Sequence, residues 1–186
     1  AEFKKQDPDS EVHFMVEQDL DCVQAVQNGE ADMAVCAWPV SNRDFSRKLL
    51  FTRKNVLVVN SSTDHAKKGS VCIEDLRTIS LALPREKTYL RNKVLDLCRS
   101  KGFEPDYIEN DEPRTAFNCA QMGLQAGIVN EISASKLLKE INNVSIVPFC
   151  DPEMDWNVFL IKKKGAKQSK LAKQYENCLL KVSKNI

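Results

Sequence analysis

Apolar positions along this 186-residue chain follow two rhythms, one continuous or of period two and one of period near 3.6. Val12, Phe14 and Val16 alternate with Glu11, His13 and Met15, which predicts a strand following a helix remnant that stops at Pro8. Asp19 is placed to cap a helix running to Gly29, where a left-handed residue should close it. Residues 31–37 are almost wholly apolar, the pattern of a strand buried on both faces of a parallel sheet. A long extended stretch, 48–59, ends in the turn cluster Asn60-Ser61-Ser62-Thr63-Asp64. A short helical turn at 73–76 and a buried strand at 79–83 follow. Tyr89, Leu90, Val94, Leu95, Leu97 and Cys98 then form one helical face that ends at Gly102. Strands are expected at 105–108, 126–129, 144–149 and 156–161, and helices at 114–122, 132–141 and 169–184.

Strands alternating with helices at this spacing imply βαβ units and a mainly parallel sheet, or two such sheets. Two lobes explain the pattern better than one sheet. Residues 1–58 and 155–186 would form the first and residues 59–154 the second, with crossings near 48–59 and 151–155. Open α/β sheets take ligands beyond the carboxyl ends of their strands, here in the cleft between the lobes. A chain that begins on a helix remnant is also expected to lack the strand before it.

Charge narrows the function. Lys and Arg total 27 against 26 Asp and Glu, a net charge of +1 at a predicted pI of 7.7. Nucleic-acid binding through phosphates needs a clear basic excess, so any DNA contact belongs to another part of the protein. No apolar run reaches the length of a membrane span, and the first residues do not form a signal peptide. Seven cysteines, at 22, 36, 72, 98, 119, 150 and 178, are odd in number and without close pairs. That count argues against a disulfide framework and for a reducing, cytoplasmic setting.

Five stretches, AEFKKQDPDSEVHF, LDCVQAVQNGEADMAV, VLVVNSSTDHAKKGSVCIEDL, LPREKTYLRNKVLDLCRSKGFEP and QMGLQAGIV, occur in an order that resembles the effector-binding domain of LysR-type transcriptional regulators. They cover nearly the whole chain. Gln125 and Asn130 stand where that family often has a second glycine and a proline. The resemblance implies an α/β fold of two Rossmann-like lobes joined by two crossover strands, like type 2 periplasmic binding proteins, with the first strand of lobe I missing. It further implies a small-molecule effector, a homodimer or full-length tetramer, and DNA contact only through a missing N-terminal helix-turn-helix domain. The dimer would use the helices near 20–28 and 90–101. A transporter's solute-binding protein shares this fold, but secretion would disfavour seven free cysteines; a small enzyme on the same scaffold would need a general acid or base in the cleft.

No cofactor and no catalytic residue is expected. His13 and His65 lack metal-ligand spacing, and no nucleophile elbow or glycine-rich phosphate loop occurs. Peroxide-sensing relatives pair two cysteines on the helix at 89–98; here Cys98 resembles the second and Tyr89 stands at the first, so Cys98 reads as core. Effector-binding candidates are the residues at strand ends and helix starts: Gln18, Asp19, Trp38, Pro39, Pro84, Arg85, Lys87, Thr88, Arg114, Thr115 and Asn130. Trp38 offers a flat wall with one donor, or else packs within its lobe. Helix starts with Arg85, Lys87 and Arg114 nearby favour a carboxylate or similar small anion, whereas Glu86, Asp111 and Glu112 would suit a cationic or zwitterionic ligand.

Overall fold

A computed structural model describes residues 2–110 and 112–185. Asp111, one of the acidic residues weighed above, lies outside the described residues. The chain forms two compact units, residues 1–52 with 157–186, and residues 53–156. Two long strands, β2 (Phe45–Asn60) and β7 (Asp155–Lys163), each run from one unit into the other.

In the first unit, α2 (Asp19–Asn28) ends at Gly29, whose φ of 79° is the left-handed cap its position called for. Strand β1 (Ala34–Cys36) pairs antiparallel with β7, setting Ala34 opposite Ile161 and Cys36 opposite Phe159. Val26, Cys36, Val40, Phe45 and Ile161 form the core. Val26 and Ile161 are wholly buried, each worth about 1.5–3 kcal/mol. The C-terminal helix α6 (Lys170–Val182) starts at Ser169, whose hydroxyl accepts from the Ala172 amide at 3.0 Å. Its Tyr175 meets Phe3 of the short helix α1 (Glu2–Gln6) edge to face at 5.0 Å. Its buried Glu176 accepts from Lys48 at 2.8 Å and Lys162 at 2.6 Å.

Three sequence expectations fail in this unit. Residues 12–16 form no strand: Phe14 and Val16 are exposed, and the segment has no ladder partner among the described residues. Alternation specifies a strand only where a neighbour completes its hydrogen bonds. Here a groove of about 630 Å³ lies between Val12–Met15 and Met33–Val35, floored by Ala172, Tyr175 and Leu179 of α6. For the same reason β1 is not buried on both faces, and Val35 is half exposed toward that groove. Asp19 does not cap α2; Gln18 is the N-cap, and Asp19 Oδ1 accepts from the Ala37 amide at 2.9 Å.

The second unit is a five-stranded sheet in the order β6, β2, β5, β3, β4, where β3 is Leu81–Pro84, β4 Tyr107–Asn110, β5 Ala126–Asn130 and β6 Val144–Pro148. Helices cover both faces, which explains the apolar runs. Leu57, Val59, Leu81, Leu83 and Ile128 pack under α3 (Tyr89–Ser100) and a 3-10 turn at Ile73–Thr78. Val56, Val58, Ala82 and Val129 alternate to the other face, under α4 (Pro113–Gln121) and α5 (Glu131–Leu137). The sheet is mixed rather than mainly parallel. Strand β3 runs parallel to β4 and β5, but β2 is antiparallel to β5 and β6, because the crossing strand enters from the opposite end.

The expectation of unpaired cysteines also fails. Cys72 and Cys150, 78 residues apart, form a disulfide with Cα atoms 5.4 Å apart. Sequence spacing cannot show such a pair, because the sheet alone brings residues 71 and 149 together as bridge partners.

Candidate functional site

Three parallel strands define one edge of the second unit's sheet. The register Leu81–Tyr107 through Pro84–Asn110, with Leu81 beside Ala126, brings the carboxyl ends Pro84, Asn110 and Asn130 to that edge. Strand β2 arrives there in the opposite sense, so Asn55 lies directly across from Asn130. From this edge the chain turns into α3, α4 and α5, the arrangement in which α/β sheets bind ligands.

The helix starts differ chemically. Asn130 accepts from the Ser133 amide at 2.9 Å and so caps α5, engaging its carbonyl oxygen in the fold. Neither Thr88 at α3 nor Glu112 at α4 makes a side-chain cap. First-turn amides without a side-chain partner carry the positive end of the helix dipole. Thr88 and Thr115 are half-buried beside them; Arg85 and Lys87 are exposed on the turn between β3 and α3. Arg114 is exposed and paired with Glu140, whose carboxylate holds the guanidinium above its ordinary pKa. Pro84, Thr88, Thr115 and Asn130 therefore share the edge, while Arg114 turns toward the loop that follows α5.

Two amides that sequence reasoning passed over sit at the same edge. Asn110 is buried and its Nδ2 has no partner among the described residues; Asn55 is buried, donates from Nδ2 to the Met154 carbonyl at 3.0 Å, and leaves Oδ1 unmatched among them. A buried donor and a buried acceptor without partners are rare and call for an explanation. Half-buried Lys93 of α3 donates to the Asp155 carbonyl at 2.8 Å, and burial lowers its pKa against the pull of Asp155 and Glu153.

In the first unit Gln18 is half-buried at the start of α2 with its Oε1 buried and unmatched. Asp19 is bound to the end of β1, as described. Trp38 is half-buried and packs on the unit's core, and Pro39 is exposed.

Among the described residues, one group has metal-ligand spacing: Cys72, Cys150 and Asp151, with ligand atoms within 4.8 Å of one another. In the disulfide both sulfurs are bonded to each other, and Asp151 Oδ2 accepts from the Ile73 amide at 2.9 Å, so this state offers no thiolate ligand. No described helix is long and apolar enough to cross a membrane.

A sheet of this order, linked by two crossing strands to a second α/β unit, has the architecture of the periplasmic-binding-protein type. The chain belongs to the LysR substrate binding domain family, whose description it matches over residues 1–184. Its relatives include the transcriptional dual regulator GltC of Bacillus subtilis strain 168, 33% identical over 84 residues, covering 45% of this chain and 28% of GltC. Another is the HTH-type regulator YwbI of the same organism, 22% identical over 165 residues, covering 88% of this chain and 54% of YwbI. The chain thus spans about half of YwbI's length and less of GltC's. These relatives are transcriptional regulators, not enzymes.

Solved structures share the fold. The effector-binding domain of QuiR in complex with shikimate superposes with a TM-score of 0.83 at 19% identity, covering 98% of this chain and 87% of that one. The regulatory domain of Synechocystis PCC6803 CcmR in complex with 2-PG gives 0.82 at 17% identity, covering 100% and 89%. The BenM domain with its effector benzoate gives 0.82 at 18%, covering 98% and 83%.

Proposed function

We propose that this chain is the ligand-sensing regulatory domain of a LysR-type, DNA-binding transcriptional regulator, and that its effector is a small carboxylate. Residues 53–156 would act as one regulatory lobe and the remainder as the other. The observation that carries the ligand assignment is the buried, unmatched Asn110 Nδ2 at a strand edge flanked by two helix starts without side-chain caps. All of these groups donate hydrogen bonds, and a carboxylate accepts them. Shikimate, benzoate and 2-PG in the neighbouring structures are consistent with that chemistry.

Pro84, Thr88, Thr115 and Asn130 line the edge in this reading, and Arg85 and Lys87 raise the local concentration of anions. Gln18, Asp19, Trp38 and Pro39 are the corresponding candidates of the first unit. A regulator of this kind works in the cytoplasm as a homodimer and contacts DNA through a separate helix-turn-helix domain. Control of transcription then requires that the effector bind one arrangement of the protein more tightly than another.

The test is a thermal-shift screen of small carboxylates, neutral sugars and amines. A ligand that binds only the folded chain adds about 2.7 kcal/mol of stability at a hundred times its dissociation constant. Carboxylates are expected to raise the melting temperature, and Asn110→Leu to abolish that rise. Stabilisation by amines or neutral compounds alone, unchanged in Asn110→Leu, would refute the anion assignment.

A further inference from the structure

We propose that Cys72 and Cys150 form a reversible thiol–disulfide exchange site on the second unit, reactive toward low-molecular-weight disulfides. The backbone holds the two cysteines in place independently of their bond. The Val71 amide donates to the Pro148 carbonyl at 2.9 Å, and the Cys150 amide donates to the Val71 carbonyl at 2.9 Å. Residues 71 and 149 are parallel bridge partners, so each cysteine directly follows a clamped position. The resulting Cα separation of 5.4 Å lies in the range a disulfide spans. Further ties fix the flanking chain: Asp151 accepts from the Ile73 amide and Asp75 from the Cys72 amide, at 2.9 and 2.8 Å. Opening the bond leaves all of these hydrogen bonds in place, so the pair can cycle without refolding.

Access singles out Cys150. Cys150 is exposed and Cys72 half-buried, whereas Cys36, Cys98, Cys119 and Cys178 are buried and Cys22 is half-buried. Burial pushes the Cys36 thiol up to about 12 and the Cys98 thiol up to about 11, which leaves both almost wholly protonated and inert. Redox chemistry therefore falls on Cys72 and Cys150 and not on the helix that carries Cys98.

The reaction balances as two exchanges. The Cys150 thiolate attacks one sulfur of the small disulfide, forming a mixed disulfide and releasing one small thiolate. The Cys72 thiolate then attacks the Cys150 sulfur and expels the second. Two protein thiols are oxidised to one disulfide, one small disulfide is reduced to two thiols, and the two protein protons end on the released thiols.

The 186-residue chain is equilibrated with graded ratios of reduced to oxidised glutathione in the presence of a chelator. Remaining thiols are trapped with N-ethylmaleimide and mapped by mass spectrometry. The expected result is a single two-electron transition within that range, with a linked 72–150 peptide and the other cysteines still alkylated. Cys72→Ser should instead accumulate a stable glutathione adduct on Cys150, and Cys150→Ser should lose both products. A 72–150 bond that persists in excess reduced glutathione, or never forms in excess oxidised glutathione, would overturn the proposal. Adducts spread equally over Cys22 or Cys98 would also overturn it.

Discussion

At Gly127 the sheet lies close against α4, and adding one methyl group there tests how the second unit is packed. A Cβ built on Gly127 would stand 2.6 Å from the Ala116 Cβ and 3.3 Å from the Ala116 carbonyl carbon and oxygen. Carbon atoms in a packed interior rest at about 3.5–4.0 Å, so α4 would have to retreat by roughly 1 Å. It cannot do so cheaply, because its own Ala116, Phe117 and Ala120 are almost wholly buried in the core they share with the sheet. Overpacking of this kind costs about 1–3 kcal/mol, which lowers the melting temperature of a chain this long by about 2–4 °C per kcal/mol. Urea unfolding followed by circular dichroism measures the loss. Ala116→Gly alone should cost about 1 kcal/mol through helix propensity. The double variant Gly127→Ala, Ala116→Gly should lose less than the sum, since the added methyl group then occupies space the Ala116 methyl vacated. A Gly127→Ala chain within 0.5 kcal/mol of the parent (about the ordinary scatter of surface changes), or strict additivity in the cycle, would refute the close approach.

Two further outcomes are expected. Burial alone would raise the Glu176 pKa, but hydrogen bonds from Lys162 and Lys48 outweigh it and hold the folded value below the ordinary one. The stabilisation is therefore complete above the ordinary glutamate range and is lost as the pH falls through the folded value; Glu176→Gln should cost about 1–3 kcal/mol at neutral pH and flatten the acid limb of stability against pH. Reducing the Cys72–Cys150 bond frees a loop of 78 residues, which the chain-entropy relation values at about 4.5 kcal/mol. The urea midpoint should therefore drop with reductant in the parent chain and not in Cys150→Ser, and equal midpoints with and without reductant would contradict this.

Much of the second unit was legible because its strands and helices each carry their own period. The stretch 48–59 reads as extended and the face ending in Leu95 and Cys98 as a helix stripe; residues 56–59 lie in β2, and that helix face packs on the core. What failed depends on partners distant in sequence. Alternation at Val12, Phe14 and Val16 says nothing about whether a neighbouring strand exists, and these residues find none among those described. The direction of β2 relative to β5 follows from where the crossing strand enters, which no local pattern records. Cys72 meets Cys150 only because a sheet bridge sets their neighbours side by side. At the strand edge proposed for the ligand, the rule of strand ends named Pro84 and Asn130. Placing β4 at 105–108 instead of Tyr107–Asn110 left Asn110 out by two residues.

That two-residue slip matters because of what a buried amide without a partner costs. An unmatched polar group in the interior is unfavourable by about 1–3 kcal/mol, whereas an apolar group of similar shape in its place is nearly neutral or stabilising. Asn110 Nδ2 is such a group, and Asn55 Oδ1 is its counterpart of opposite sense. Asn110→Leu should therefore leave the unliganded chain as stable as the parent or more so, while removing the response to carboxylates. Stability and response would then move in opposite directions, which no merely structural role for Asn110 would produce. If Asn110→Leu destabilised the unliganded chain by several kcal/mol and left the response to carboxylates intact, the amide would be a packing residue and the strand edge would have to recognise its ligand through the helix starts alone.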